Sequence, residues 1–182
     1  MISNSKIGTV YWFTGLSGAG KTTIGKLFFL RQKKSHKSIF LDGDELRKIF
    51  GEKFGYSITD RKYLAFCYSK FCQMLSSQGF DVICCTISMF NEVRKYNRLY
   101  LKNYKEVYIK VSKEILIKRN QKKLYRHSNK NIVKDVVGMD QNFEEPIDPD
   151  IIITNDGDQT PEKIIEKFYE KIKVNWYEAR RL

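Results

Sequence analysis

The chain has no apolar run long enough to cross a membrane. Its longest uncharged stretch, Ile7 to Gly20, has 14 residues and is broken by four glycines, against the roughly 18 to 20 apolar residues that a spanning helix needs. A membrane partner is therefore not expected. The first residues lack a basic stretch followed by an apolar run and a small-residue cleavage site, so nothing argues for export and the expected compartment is the cytoplasm. Cysteine is scarce and spaced wrongly for a disulfide framework or a paired CxxC zinc site, and Cys67, Cys72, Cys84 and Cys85 read as reduced core thiols. Histidine is scarcer still: His36 and His127 stand alone, and neither is assigned a catalytic role. Repeats, linkers and low-complexity tracts are also missing.

What remains is a globular balance of 42% hydrophobic, 14% aromatic and 30% charged residues, which excludes a wholly disordered chain. A length of 182 residues suits one domain and is too short for two ordinary ones. Thirty-three Lys and Arg against 21 Asp and Glu leave a net charge of +12, favouring anionic partners. The skew is weak evidence, because 24 of the cations are Lys and only 9 are Arg, a bias that base composition can produce. Lys118 to Lys134 is the exception, with seven basic residues in 17 positions and no acid.

Apolar runs set against turn signals give strands at Val10–Thr14, Ser38–Leu41, Val82–Ile87, Val107–Val111 and Ile151–Thr154. Helices are expected at Lys21–Gln32, Asp60–Gln78, Asn91–Leu101 and Lys113–Arg119. A last one starts at Pro161 behind a Thr160 cap, with Ile165, Phe168, Tyr169, Ile172 and Trp176 on one face. The alternation predicts a three-layer α/β fold with a five-stranded parallel sheet and crossover helices on both faces.

Gly15-Leu16-Ser17-Gly18-Ala19-Gly20-Lys21-Thr22 matches GxxxxGK(S/T), after an apolar strand and before a helix. That context makes it a phosphate loop. Its backbone N–H groups and the positive end of the following helix would cradle the phosphates of ATP. Lys21 would reach the β and γ phosphates, and the Thr22 hydroxyl would help hold Mg²⁺; Thr23 belongs to the same stretch.

The loop alone does not separate kinases from GTPases and motor ATPases. The second strand does, because it ends in Asp42 and Asp44, two positions apart, and such residues project the same way in an extended segment. One carboxylate can orient metal-bound water while the other takes the proton of an acceptor hydroxyl, as a small-molecule kinase requires. A second reading, compatible with the first, makes Asp44 the N-cap of a helix over Glu45 to Phe50. The GTPase reading fails: Asp135 to Gly138 fits DxxG only within the basic segment, and Ile132 stands where an NKxD motif following Asn129-Lys130 needs Asp.

The basic segment reads as a lid over residues 118–145, whose cations would neutralise charge on the transferred phosphoryl group and exclude water. A nucleic-acid partner is not expected, since Tyr125 and Phe143 are too sparse for a stacking platform. Glu144 and Glu145 could line the substrate entrance or cap a turn before Pro146.

The motifs together resemble those of the adenylyl-sulfate kinase family from Trp12 to about Thr154. They are GLSGAGKTT (Gly15 to Thr23), LDGD (Leu41 to Asp44), GYS with DRK (Gly55 to Ser57, Asp60 to Lys62), Ile87-Ser88, KxLY (Lys122 to Tyr125) and GxD…EEP…PD (Gly138 to Asp150). The resemblance implies a nucleoside-monophosphate-kinase-like P-loop fold, transfer from MgATP to the ribose 3′-hydroxyl of a nucleotide with an activated 5′ group, and a homodimer. By the same resemblance Asp42 sits near Mg²⁺ through water, Asp44 contacts the 3′-hydroxyl, Arg61 grips the 5′ anionic portion, and Arg119 contacts the ATP nucleotide. Arg47, Tyr56, Ile87, Ser88, Lys122, Leu124 and Lys134 complete the implied acceptor side.

Departures from the family pattern gather on that acceptor side. Leu64 replaces an Asn, Met89-Phe90-Asn91 replaces Pro-Tyr-Arg, and Val136 replaces the lid aromatic that would clamp adenine against Tyr56. An unmatched buried polar partner costs about 1 to 3 kcal/mol, so such changes alter selectivity. A relative similar to cytidine diphosphoramidate kinase of bacterial capsule assembly phosphorylates a smaller pyrimidine nucleotide with a 5′ amidate. Cytidine diphosphoramidate is therefore the expected acceptor, with adenylyl sulfate the alternative. A module that only binds nucleotide is disfavoured by the intact Lys21, Asp42 and Asp44.

Overall fold

The computed structural model describes residues 6–34, 36–51, 54–119 and 143–178. Five strands, β1 (Val10–Thr14), β2 (Ser38–Asp42), β3 (Asp81–Cys85), β4 (Tyr104–Lys110) and β5 (Ile151–Thr154), form one parallel sheet in the order β2-β3-β1-β4-β5. The helices are α1 (Lys21–Gln32), α2 (Gly43–Gly51), α3 (Ile58–Ser77), α4 (Asn91–Tyr100), α5 (Lys113–Arg119) and α6 (Pro161–Glu178). No helix among the described residues is long and apolar enough to cross a membrane.

Every residue of β1 is buried, as a central parallel strand covered on both faces must be. Alternate side chains feed two cores. Tyr11 and Phe13 join Ile83 and Cys85 beneath α1, α5 and α6, while Val10 and Trp12 join Val82 and Cys84 beneath α2, α3 and α4. Phe28 of α1 anchors the first core, its ring 4.8 Å from both Tyr11 and Phe168 in edge-on contacts. Cys72, Cys84 and Cys85 are buried free thiols and Cys67 is a half-buried one. The hydrogen bond between Cys72 and Cys84, together with burial, raises the Cys84 thiol well above the ordinary range, so it stays protonated.

Several boundaries move from their expected positions. β3 begins at Asp81 and stops at Cys85, short of Ile87, and β4 begins at Tyr104 instead of Val107. Ser57 starts α3 two residues early, accepting from the Asp60 N–H at 3.1 Å and donating to the Asp60 carboxylate at 2.6 Å, a reciprocal cap. Thr160 caps α6 as expected, its Oγ1 accepting from the Lys163 N–H at 3.4 Å with Pro161 in the first helical position. The side chain of Trp176 lies outside the described residues.

Candidate active site

All five strands run the same way, so their carboxyl ends share one edge of the sheet, where open α/β folds bind ligands. Residues 15–20 leave β1 at that edge and turn into α1. Gly15 has φ 147°, and a Cβ there would stand 2.5 Å from the Ile109 carbonyl of neighbouring β4. Gly20, at φ 96°, passes so close to Asn155 that a Cβ would meet its amide nitrogen at 2.6 Å. Only glycine lets the loop curl this tightly against β4 and Asn155. Leu16 and Ala19 are buried and anchor the loop in the first core, while Thr22 and Thr23 at the head of α1 are exposed. Lys21 is 9% exposed and its Nζ donates to the Leu16 carbonyl at 2.8 Å, folding the ammonium over the curl.

The acidic pair is arranged differently from the expected extended i, i+2 geometry. β2 stops at Asp42, and Gly43 already opens α2, so Asp44 sits in the first helical turn with its side chain exposed. Asp42 Oδ1 accepts from the Asp44 N–H at 2.8 Å, so Asp42, and not Asp44, caps the helix. Its other oxygen, Oδ2, accepts from the Thr22 hydroxyl at 2.7 Å. One carboxylate thereby ties the phosphate loop to the start of α2. Gly43 permits the close approach, since a Cβ there would lie 2.9 Å from the Cys85 carbonyl and 3.2 Å from Thr86.

Asn155, which no sequence motif marks, braces the phosphate loop. It directly follows β5, and its amide donates to the Ala19 carbonyl of the phosphate loop at 2.8 Å. Its own carbonyl accepts from Arg119 Nη2 at 2.6 Å. The expected nucleotide-contacting Arg119 is thus joined to the loop through one residue. A polar side chain at the carboxyl end of an edge strand was the signal for it.

On the acceptor side, Arg47, Tyr56 and Arg61 come together. The Arg47 guanidinium lies 4.1 Å from the centre of the Tyr56 ring, and that of Arg61 lies 5.1 Å from it. Arg47 also donates to the Gly55 and Phe54 carbonyls, and Arg61 Nε to the Tyr56 carbonyl at 2.9 Å. Tyr56 is 56% exposed. Ile87 and Ser88 follow β3 in a loop pinned at its start by the Thr14 hydroxyl, which donates to the Ile87 carbonyl at 2.5 Å, and by a 2.8 Å contact between Thr86 and Ser88 hydroxyls. Ser88 has φ 26°, a conformation that L residues seldom adopt. Leu64 is 1% exposed in the second core. Lys122, Leu124, Lys134, Val136 and most of the expected lid lie outside the described residues.

An ionic network centred on buried Glu106 and Arg94 backs this side. Glu106 of β4 is 2% exposed and faces Arg94 at 3.7 Å and Arg98 at 3.2 Å, both from α4. Burial pushes its carboxyl up to about 7, with the two guanidinium groups pulling the other way. Asp150 accepts from the Glu106 N–H at 2.9 Å and pairs with Arg98 and Lys105. Burial would raise the Asp150 carboxyl, but the Glu106 N–H and Lys105 hold it below the usual range. Glu145 accepts from Tyr108 at 3.0 Å and from Lys110 at 2.9 Å, and the Lys110 contact lowers its carboxyl despite partial burial.

The adenylylsulphate kinase family pattern matches residues 7–154. The chain belongs to that family. It is 42% identical over 166 residues to a cytidine diphosphoramidate kinase of Campylobacter jejuni, covering 91% of this chain and 96% of that one. It is 34% identical to an adenylyl-sulfate kinase of Staphylococcus carnosus, covering 93% and 84%. Among solved structures it superposes with TM-score 0.84 and 26% identity on the Mycobacterium tuberculosis APS kinase CysC in complex with AMPPNP and APS, covering 91% and 98%. Membership makes the chain a kinase that uses ATP, with the P-loop α/β fold expected from its sequence.

Proposed function

We propose that the chain transfers the γ-phosphoryl group of MgATP to the ribose 3′-hydroxyl of cytidine diphosphoramidate, for capsular polysaccharide modification. The observation that carries this reading is the Thr22–Asp42 contact, which holds one carboxylate against the phosphate loop, while the same carboxylate accepts from the Asp44 N–H at the head of α2. In the transfer, the bond between the γ phosphorus and its bridging oxygen breaks, a bond to the 3′-oxygen forms, ADP departs, and Asp44 takes the hydroxyl proton. Lys21 and the N–H groups of residues 15–23 bind the phosphates, and Arg119 with Asn155 flanks the nucleotide. Thr22 and Asp42 offer a hydroxyl and a carboxylate oxygen, the hard donors that Mg²⁺ takes beside substrate phosphates. When bound there, the ion neutralises phosphate charge.

Arg47, Tyr56 and Arg61 form the acceptor platform, with Arg61 toward the 5′ anionic group and Ile87 and Ser88 beside the sugar. Lys122, Leu124 and Lys134 keep the acceptor-side roles expected of them. The pyrimidine amidate is supported by the kinship at 42% identity, by Leu64 lying in the core, and by Asn91, whose side chain accepts from Arg94 at 2.5 Å. The retained Tyr56 and Arg61 are what favours adenylyl sulfate as the second reading. Following ADP release with each nucleotide decides between them: the specificity constant is larger for cytidine diphosphoramidate, and a much larger one for adenylyl sulfate discards the assignment. The enzyme acts as a homodimer in the cytoplasm; light scattering that returned one chain's mass would remove the dimer.

A further inference from the structure

We infer that Glu144 is a positioning residue for the loop 87–91, holding the acceptor-side backbone in place from outside it; this rests on the assignment of that loop to the acceptor. The first N–H groups of a helix have no intrahelical partner and need an acceptor from elsewhere. α4 starts behind Phe90, whose side chain makes no capping hydrogen bond. Glu144 supplies what Phe90 lacks: its carboxylate accepts from the Asn91 N–H, 53 residues away in sequence. The same residue's N–H donates to the Met89 carbonyl at 3.1 Å. Arg94, 6% exposed, closes the ring, its Nη2 donating to the Glu144 carbonyl at 2.8 Å and to Asn91 Oδ1 at 2.5 Å.

Both ends of the loop are therefore held by groups that do not belong to it, Thr14 at Ile87 and Glu144 at Met89 and Asn91. Between them lies Ser88 in its left-handed conformation, which persists only where the surroundings impose it. Glu144 thus has no contact with the reacting atoms to make; it fixes where Ile87 and Ser88 stand.

The test uses the full-length enzyme with MgATP and cytidine diphosphoramidate, together with amide exchange of Asn91 read by ¹⁵N NMR. Glu144→Ala raises the KM for the acceptor about tenfold or more, as misplacement of a positioning group does, leaves the KM for ATP within about twofold, and strips the Asn91 N–H of its protection. Glu144→Gln restores the acceptor KM and the Asn91 protection, because its amide oxygen can still accept. Unchanged protection in Glu144→Ala overturns the positioning role, as does a KM for ATP that rises as far as that for the acceptor. Protection lost with an unchanged acceptor KM instead sinks the assignment of this loop to the acceptor, and the role with it. If the parent enzyme turns over neither nucleotide, the acceptor reading alone has failed, and the exchange measurement still decides whether Glu144 holds the loop.

Discussion

The Thr22 hydroxyl donates to the Asp42 carboxylate across 2.7 Å, joining the last residue of the phosphate-loop motif to the end of the second strand. Because the other oxygen of Asp42 accepts from the Asp44 N–H, one side chain serves both as a prospective metal contact and as the cap of α2. Asn keeps the capping acceptor but loses the charge. Asp42→Asn is therefore expected to lower kcat by about 100-fold or more, on the scale of removing an electrostatic stabiliser, while its thermal midpoint stays near the parent's. Asp42→Ala loses in addition about 1 kcal/mol of helix capping. Steady-state rates beside thermal melts check this; an equal fall in midpoint for both variants would mean that the charge is structural.

Gly43 sets how closely α2 approaches β3. An added methyl would lie 2.9 Å from the Cys85 carbonyl, a backbone atom with little freedom to yield. Gly43→Ala should destabilise by about 1 to 3 kcal/mol, the usual range for overpacking, and lower kcat by displacing Asp44. Urea unfolding measures the first effect. A variant as stable and as active as the parent would show that α2 can slide without consequence.

Asn155 braces the phosphate loop through the Ala19 carbonyl and holds Arg119 through its own. Replacing it by Ala removes one side-chain hydrogen bond worth about 1 kcal/mol, so the KM for ATP rises several-fold while that for the acceptor stays put. Isothermal titration with an unreactive ATP analogue provides the check. Unaltered affinity would remove Asn155 from the donor site.

Glu106 gives the fold a pH dependence of its own. Its native carboxyl titrates at about 7, above the ordinary value, so the native state holds that proton more tightly than the unfolded chain does. The resulting stability is complete below the unfolded value and is lost as pH rises toward about 7, at up to about 1.4 kcal/mol per pH unit. Arg94 and Arg98 face Glu106 directly and Lys105 pairs with Asp150, whose carboxyl is held below the usual range. Unfolding free energies of the parent, set against Glu106→Gln from about pH 5 to about pH 8, should diverge with rising pH, the parent losing ground. Parallel curves would show that the two guanidinium groups hold Glu106 ionised throughout.

How much of this was legible in the residues depends on what fixes each element. α1 appears where the sequence puts it, because a glycine-rich curl and a helix start are both local chemistry. The end of β3 is not legible, because residues 82–87 read as one run, whereas the Thr14 hydroxyl holds the Ile87 carbonyl and the chain turns at Ser88. The acidic pair is legible but its geometry is not: Asp42 caps α2 and Gly43 packs closely on β3, so the helix begins directly after the strand. Arg94 and Glu106 could not be paired in advance, since a charge buried between a helix and a central strand looks like any polar residue in a periodic pattern. Glu144 and Glu145, adjacent in sequence and alike in chemistry, part company in the structure, one capping α4 and the other meeting Tyr108 and Lys110.

Asp44 stands at the head of α2, its N–H held by the Asp42 carboxylate, and is expected to take the proton of the attacking ribose hydroxyl. Single-turnover measurement of Asp44→Asn with saturating MgATP and cytidine diphosphoramidate isolates that step. The expected transfer rate is about 100-fold or more below the parent's, the usual contribution of a positioned general base, with ATP bound as tightly as before. Transfer at the parent's rate by an Asp44→Asn enzyme would remove that carboxylate from the reaction.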